Sequence, residues 1–436
     1  MPSSKDQKRN RNEYDSEYSE SDQEEEGQDN PKTKQVKTTA SLGIWKEDTS
    51  QELYYFIHHK FSEMKFPKDT VGVASFDFDS TLVLTKSGKQ FATNANDWKL
   101  FHKNVSTKLI DEVKKKNRLL VIFTNQNGIK KGKLTKKDLE KRMEGFIRQA
   151  VGEDIPVLVL AAMGENSQRK PCTGMWTYLE EKILPYHKEL SLDKSDSFYV
   201  GDAAGRPERK DAEKKKIKKD HSCGDRKFAM NLGIKFHTPE NYFLGEAEYP
   251  TWSLDGYDIK KFENAKLTPY KQEDLISSKQ EIVIFQGWPA SGKTTFAKRY
   301  FLPAGYVHVN RDSLSTPAKC IKATKEAIAQ GKSVVVDNTN PDSASRKPYI
   351  EIAEENDIPC RCFVFDIERE LAEHLNVLRE NRSNGAHPHV PGVAYNTYNK
   401  KFEDVTKDEG LTEVRKIKFI PVFNNDREKE EFFMYT

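Results

Sequence analysis

Two groups of residues in this sequence have the types and spacing to handle phosphoryl groups. In the first, Asp77-x-Asp79-x-Thr81 closes the apolar run VASFDFDSTL. Aspartates at alternate positions project from one side of a strand as the chain leaves the sheet. One can attack phosphorus while the other protonates the departing alcohol and then activates water. An ordinary Asx-turn is the plain alternative for such a short pattern. Three more apolar runs end in groups suited to the same chemistry, namely Thr124-Asn125-Gln126 after LLVIF, Lys170 in QRKPCTGMW, and Asp202 in FYVGDAAGR. These supply a hydroxyl to hold phosphoryl oxygens, a cation to neutralise charge and a third carboxylate to bind Mg²⁺. Asp225 in CGDRKFAMNLG has two open readings, a carboxylate supporting the metal or a helix N-terminal acid.

The second group is Gly287-Trp-Pro-Ala-Ser291-Gly292-Lys293-Thr294, followed by Thr295, which fits G-x-x-x-x-G-K-[ST]. Its glycines let backbone N–H groups turn inward around phosphate oxygens, and the following helix points its positive end at them. Lys293 is expected to neutralise the β- and γ-phosphates of ATP, and Thr294 to ligate Mg²⁺. The next strand pattern ends in Val309-Asn310-Arg311-Asp312. Asp312 is the candidate base for an alcohol acceptor, with a helix N-cap as its alternative, and Arg311 is a candidate phosphate contact. VVVDNTN puts Asp337 in the position of a Walker-B carboxylate, followed by the polar Asn338 to Asn340. Arg379 and Arg382, in ELAEHLNVLRENRS, are candidates for a lid over the transferring phosphate, or else belong to a solvated helix face.

These residues need a scaffold that brings several strand ends to one edge. From Leu53 to about Phe243, buried-strand patterns (VGVASFDFD, LLVIFTN, IPVLVLAA, SFYVGD) alternate with amphipathic ones (KLIDEVKKKN, KKDLEKRMEGFIRQAV, GMWTYLEEKIL). The rhythm restarts with EIVIFQGW, GYVHVNRD, SVVVDNTN and CRCFVFDI. Alternation of this kind predicts α/β architecture with two parallel-sheet, three-layer domains. We expect a disordered acidic tail over residues 1–45, a first domain over 46–245, a linker over 246–279 and a second domain over 280–436. The basic stretch 206–219 reads as a flexible insertion with a solvated face, the alternative being a contact to substrate phosphates.

Composition sets limits. The chain has 436 residues, 36% hydrophobic and 32% charged, with no run long enough to span a membrane. Five cysteines form no paired framework, and Cys360-x-Cys362 reads as part of a buried strand, so a reducing compartment is expected. Nine acidic residues lie between Glu13 and Asp29 with no basic ones, so the net charge of +3 conceals +12 on the remainder. That charge can steer a polyanion.

Taken in order, these motifs resemble the eukaryotic polynucleotide kinase 3′-phosphatase family. DFDST, VIFTNQNGI, RKPCTGMW and YVGDAAGR resemble the four signature regions of the haloacid dehalogenase superfamily, and FQGWPASGKTT, YVHVNRD and VVVDNTNPDSASRKPYI resemble the family's kinase domain. The resemblance implies Asp77 as nucleophile and Asp79 as general acid/base. It implies Mg²⁺ held by Asp77, the backbone carbonyl of Asp79, and Asp202. It also implies Asp312 as the base for a 5′-hydroxyl, with ATP as donor. Its substrates would be DNA ends bearing a 3′-phosphate or a 5′-hydroxyl, with RNA left open. A monomer working in the nucleus is expected. Animal members carry an N-terminal forkhead-associated domain, and residues 1–50 are too short and too polar for that fold, so recruitment through it is expected to be absent or replaced. Two other readings are a bifunctional kinase and phosphatase of a small metabolite such as a sugar, and a non-catalytic scaffold. The scaffold would be expected to have lost Lys293, Asp77 or Asp202, and all three are present.

Overall fold

The computed structural model describes residues 41–90, 92–187, 190–210, 216–263, 265–383 and 387–436. Most of the expected tail lies outside them. Its last residues are an exception, since Gly43, Ile44 and Trp45 begin the first strand, where Trp45 stacks on Tyr54 with ring centroids 4.9 Å apart.

Seven strands build the first sheet: β1 (Gly43–Asp48), β2 (Leu53–His58), β3 (Val73–Phe76), β4 (Leu119–Asn125), β5 (Val157–Ala162), β6 (Phe198–Val200) and β7 (Lys235–His237). Their order is β1-β2-β5-β4-β3-β6-β7. Strands β3 to β7 run parallel, while β1 and β2 form a hairpin that joins β5 antiparallel. All four residues of β3 are buried, as a central parallel strand covered on both faces requires. Helices Asn104–Lys114 and Lys136–Phe146 pack Val105, Leu109, Leu139, Met143 and Phe146 against one face. Helices Gly174–Tyr178 and Gly224–Leu232 pack Met175, Trp176, Phe228 and Ala229 against the other. Because β3 has β4 on one side and β6 on the other, a crevice opens at its carboxyl end, where ligands bind in open α/β sheets.

The second sheet is wholly parallel: β8 (Ile282–Gln286), β9 (Val307–Val309), β10 (Val334–Val336), β11 (Cys360–Asp366) and β12 (Glu413–Lys418), in the order β9-β10-β8-β11-β12. Strand β12 escapes sequence reading because EVRKIK is charged and buries only Ile417. Cys360 and Cys362 are buried in β11. Helices Pro317–Ala329 and Ser343–Glu355 cover one face, and residues 293–301 turn away over the other.

The stretch 246–279 is anchored along its length. Trp252 packs on the Arg226 guanidinium at 4.5 Å, Ile259 is fully buried beside Leu371, Leu378, Phe432 and Tyr435, and Leu275 enters the core of the second sheet. Among the described residues no helix is long and apolar enough to cross a membrane.

Candidate active sites

The carboxyl edge of the first sheet gathers Asp77, Asp79, Thr124, Lys170 and Asp202. Asp77 follows β3 directly, and its N–H donates to Val200 O of β6 at 2.8 Å, which aligns it with Gly201 and Asp202. Gly201 has no substitute here, since a Cβ would lie 2.4 Å from Asp225 Oδ2. Lys170 Nζ donates to Asp77 Oδ1 at 2.7 Å, to Asp225 Oδ1 at 2.8 Å and to the Tyr199 hydroxyl at 2.5 Å. Asn125 braces the Lys170 loop: its side chain donates to Lys170 O at 3.1 Å and accepts from Lys170 N at 3.0 Å. Its carboxamide is thus engaged by backbone, whereas among the described residues Thr124 Oγ1 accepts only from Gln126 Nε2, at 3.0 Å, and keeps its own hydroxyl proton to donate.

Asp225 stands at a helix N-terminus and also beside the acids of the expected metal site. It sits in the first turn of helix Gly224–Leu232, and its carboxylate faces the other acids, accepting from Ala203 N at 3.0 Å through Oδ2. Ligand oxygens of Asp77, Asp202 and Asp225 all lie within 4.8 Å of one another. Burial pushes the Asp77 carboxyl up to about 7, against the opposing pull of Lys170. Burial, with Asp225 and Asp77 nearby, also raises Asp202 well above the usual carboxylate range. With all three carboxylates ionised against one ammonium, the cluster would carry a formal charge of minus two on hard oxygen donors. Mg²⁺ suits that donor set.

Asp79 lies beyond Asp77, beside a smaller cleft of about 330 Å³. Gln126 Nε2 donates to its Oδ2 at 2.9 Å and Arg142 Nη2 to its Oδ1 at 2.5 Å. Arg142, Tyr199 and, in the second site, His308 were not singled out from the sequence. Arg142 does leave a trace there, as a cation within the buried stripe Leu139, Arg142, Met143, Phe146.

The basic stretch corrects one expectation. Arg206 is buried, not solvated, and donates to Asp220 and Glu240 at 2.8 Å each. Lys216, Lys218 and Lys219 are exposed, and residues 211–215 lie outside the described residues.

In the second sheet the loop after β8 turns through Gly292 at φ +88°, left-handed backbone that favours glycine. Lys293 is buried and donates to Gly287 O at 3.0 Å, Trp288 O at 2.6 Å and Ser291 Oγ at 3.2 Å. Burial lowers its ammonium to about 8, although Asp337 and Asp312 act to raise it. Asp337 Oδ2 accepts from Thr294 Oγ1 at 2.6 Å, His308 Nε2 at 2.9 Å and Asn310 Nδ2 at 3.0 Å. Burial favours its neutral form, but the His308 and Thr294 contacts outweigh it and hold the carboxyl below its usual value.

A cavity of about 1550 Å³ spreads over this edge, lined by Ser291 to Thr295, Arg311, Asp312, Asp337, Arg379 and Arg382. Asp312 is exposed and is not the helix cap, because Asn310 Oδ1 accepts its N–H at 2.7 Å and Thr316 caps the next helix. The two lid arginines separate. Arg382 is held by Glu431 at 2.9 Å and Glu428 O at 2.7 Å, whereas among the described residues Arg379 bonds only Asn376, at 3.1 Å, and its buried Nε has no partner.

Comparisons with known proteins add to this geometry. Residues 72–243 match the family described as polynucleotide kinase 3 phosphatase, and residues 316–405 match an AAA domain family, beginning past the loop at 287–294. A bifunctional polynucleotide phosphatase/kinase of Schizosaccharomyces pombe is 38% identical over 362 residues, spanning 83% of this chain and 82% of that one. A putative bifunctional polynucleotide phosphatase/kinase of Acanthamoeba polyphaga mimivirus is 36% identical over 372 residues, spanning 80% and 85%. A polynucleotide 3′-phosphatase of Saccharomyces cerevisiae is 26% identical, over 42% of this chain and 93% of its own.

Proposed function

The chain belongs to the bifunctional polynucleotide phosphatase/kinase family, and from that premise we propose that it hydrolyses 3′-phosphates through an aspartyl-phosphate and phosphorylates 5′-hydroxyls of DNA from ATP. The observation that carries this reading is the pair of separate phosphate-handling edges: Asp77 held by Lys170 within a carboxylate cluster, and Lys293 in a glycine turn below a large cationic cavity.

In the phosphatase reaction Asp77 attacks phosphorus, and Lys170, already on its Oδ1, stays beside the phosphoryl oxygens with the Thr124 hydroxyl. Asp79 protonates the leaving 3′-oxygen and then takes a proton from the water that cleaves the acyl-phosphate. When bound, Mg²⁺ held by Asp77, the Asp79 carbonyl and Asp202 would neutralise phosphoryl charge, as Mg²⁺ held by Thr294 and Asp337 would in the kinase. There Asp312 accepts the proton of the 5′-hydroxyl, Lys293 binds the β- and γ-phosphates, and Arg311 and Arg379 offset charge on the transferring group. In this reading residues 46–245 carry the phosphatase, 280–436 the kinase, and 246–279 join them. The products, a 3′-hydroxyl and a 5′-phosphate, are the ends that ligation requires, which fits the proposal that the enzyme works in strand-break repair.

The test is a duplex nick bearing both a 3′-phosphate and a 5′-hydroxyl, with ATP and Mg²⁺. Conversion of both termini is expected. Conversion of neither, with turnover of free sugar phosphates and sugars, would overturn the proposal.

A further inference from the structure

Arg142 is 1% exposed and enters the first domain's core from the apolar side of helix Lys136–Phe146. Its guanidinium packs over the Phe78 ring at 5.2 Å, its Nε has no partner among the described residues, and its Nη2 donates to Asp79 Oδ1 at 2.5 Å. A guanidinium at such a site is a poor choice for stability, because a well-packed apolar side chain usually does as well or better than a buried ion pair. What it does offer is direction. With Gln126 on Oδ2 and Arg142 on Oδ1, both oxygens of Asp79 are engaged from the protein side, which fixes one rotamer. In that rotamer Asp79 borders the 330 Å³ cleft formed with Ser80, Leu84, Lys89 and Lys99.

We propose that Arg142 is the positioning residue for Asp79, aiming its carboxyl at the cleft where the leaving 3′-oxygen emerges. The inference rests on the acid/base reading of Asp79 given above. Arg142 touches neither substrate nor metal; it acts through the carboxylate alone. Its removal therefore slows the step in which an alkoxide leaving group must be protonated and spares a step in which the leaving group departs unprotonated.

The test is single-turnover kinetics of the full chain on two substrates, a 3′-phosphorylated oligonucleotide and p-nitrophenyl phosphate, whose leaving group needs no proton. In Arg142→Met the first turnover of the oligonucleotide should fall by about 30- to 100-fold, within the range of general acid catalysis, and the p-nitrophenol burst by less than about 5-fold. Arg142→Lys, which keeps one donor, should recover much of the oligonucleotide rate. Kinase activity of the same chain reports folding and should be unchanged. Equal losses on both substrates, or none, would overturn the proposal. Should Arg142→Met fail to fold, Arg142→Lys carries the test, with a loss of about 3- to 10-fold confined to the oligonucleotide. Asp79→Asn separates the two layers. If it shows no leaving-group discrimination, the reading of Asp79 falls; if it does while the Arg142 variants do not, only the role of Arg142 falls.

Discussion

Each active edge has a buried lysine at its centre, and the two are tuned in opposite directions. At Lys170 burial works against the charge, but Asp225 and Asp77 outweigh it and hold the ammonium above the ordinary lysine value. At Lys293 burial wins, and the ammonium falls to about 8 while resting on backbone carbonyls. The first site brings its own anions and is short of positive charge, which in the proposed function a divalent cation would supply. The second lacks a direct carboxylate on its lysine, and in the proposed function the triphosphate would supply its anion. That is the difference the proposed function needs, between a site where one carboxylate, Asp77, becomes covalently loaded and one that grips a substrate mainly with backbone and cations.

If the two edges are independent, the largest effects should be reciprocal. Asp77→Asn should lower 3′-phosphatase turnover by roughly 10⁴-fold or more and leave 5′-kinase activity within about 2-fold. Lys293→Met should lower kinase turnover by roughly 10²- to 10³-fold and spare the phosphatase. Paired assays on one preparation of each variant decide this, and loss of both activities in either would break the contrast. Asp312→Asn should follow with a kinase loss of about 10²- to 10⁴-fold, mostly in kcat, since the hydroxyl loses its proton acceptor. A change confined to the KM for ATP would instead assign Asp312 to nucleotide binding.

Much of this contrast was legible in the sequence, because buried parallel strands read as apolar runs and the polar residue after each run marks the site edge. Asp77, Thr124, Asp202 and Asp337 are of that kind, whereas Lys293, seven residues past β8, was legible through the G-x-x-x-x-G-K-[ST] pattern. What was hidden depends on contacts between layers. Arg142 reaches Asp79 from a helix 63 residues away, and only its place in an apolar stripe hints at it. His308 sits two residues before Asn310 on the same side of β9, and both meet Asp337. Arg379 and Arg382 look alike in sequence and differ because Glu431 and the Glu428 carbonyl, on a distant helix, engage one of them. Strands β1 and β12 were missed because edge strands need not be apolar: GIWKED is half charged and EVRKIK mostly so.

Smaller effects should appear in stability. Asp77 has a folded pKa of about 7, above its unfolded value, so its contribution to stability is present at low pH and is lost as pH rises towards 7. In chelator-treated protein, Asp77→Asn should match the parent below about pH 4 and exceed it by on the order of a few kcal/mol above pH 7. Thermal melts across that range measure the gap, and adding Mg²⁺ should close it by stabilising only the parent. Lys293 titrates the other way. Its folded pKa lies below the unfolded one, so the charged form is penalised and stability rises from about pH 8 towards 10.5. Lys293→Met should remove that rise. A pH-independent gap at Asp77 would mean that its carboxyl is compensated by protein groups alone.

The smallest effect should be the one that both edges feel. Asn231 Nδ2 donates to Pro171 O and to Tyr435 O, each at 2.9 Å, and its Oδ1 accepts from Tyr435 N at 2.8 Å. Pro171 follows Lys170 in the phosphatase loop, while Tyr435 packs in the same cluster as Leu371 and Leu378, on the helix that carries Arg379. One half-buried side chain thus ties the loop behind one lysine to the helix behind one arginine. Asn231→Ala leaves three backbone groups to find other partners, which costs about 1–3 kcal/mol. Both activities should then fall together by a few-fold, with a lowered melting temperature, because neither reacting group has been touched but both supports have been loosened. A loss confined to one activity would show that the segment around Tyr435 belongs to that edge alone, and the two sites would then share a chain without sharing a support.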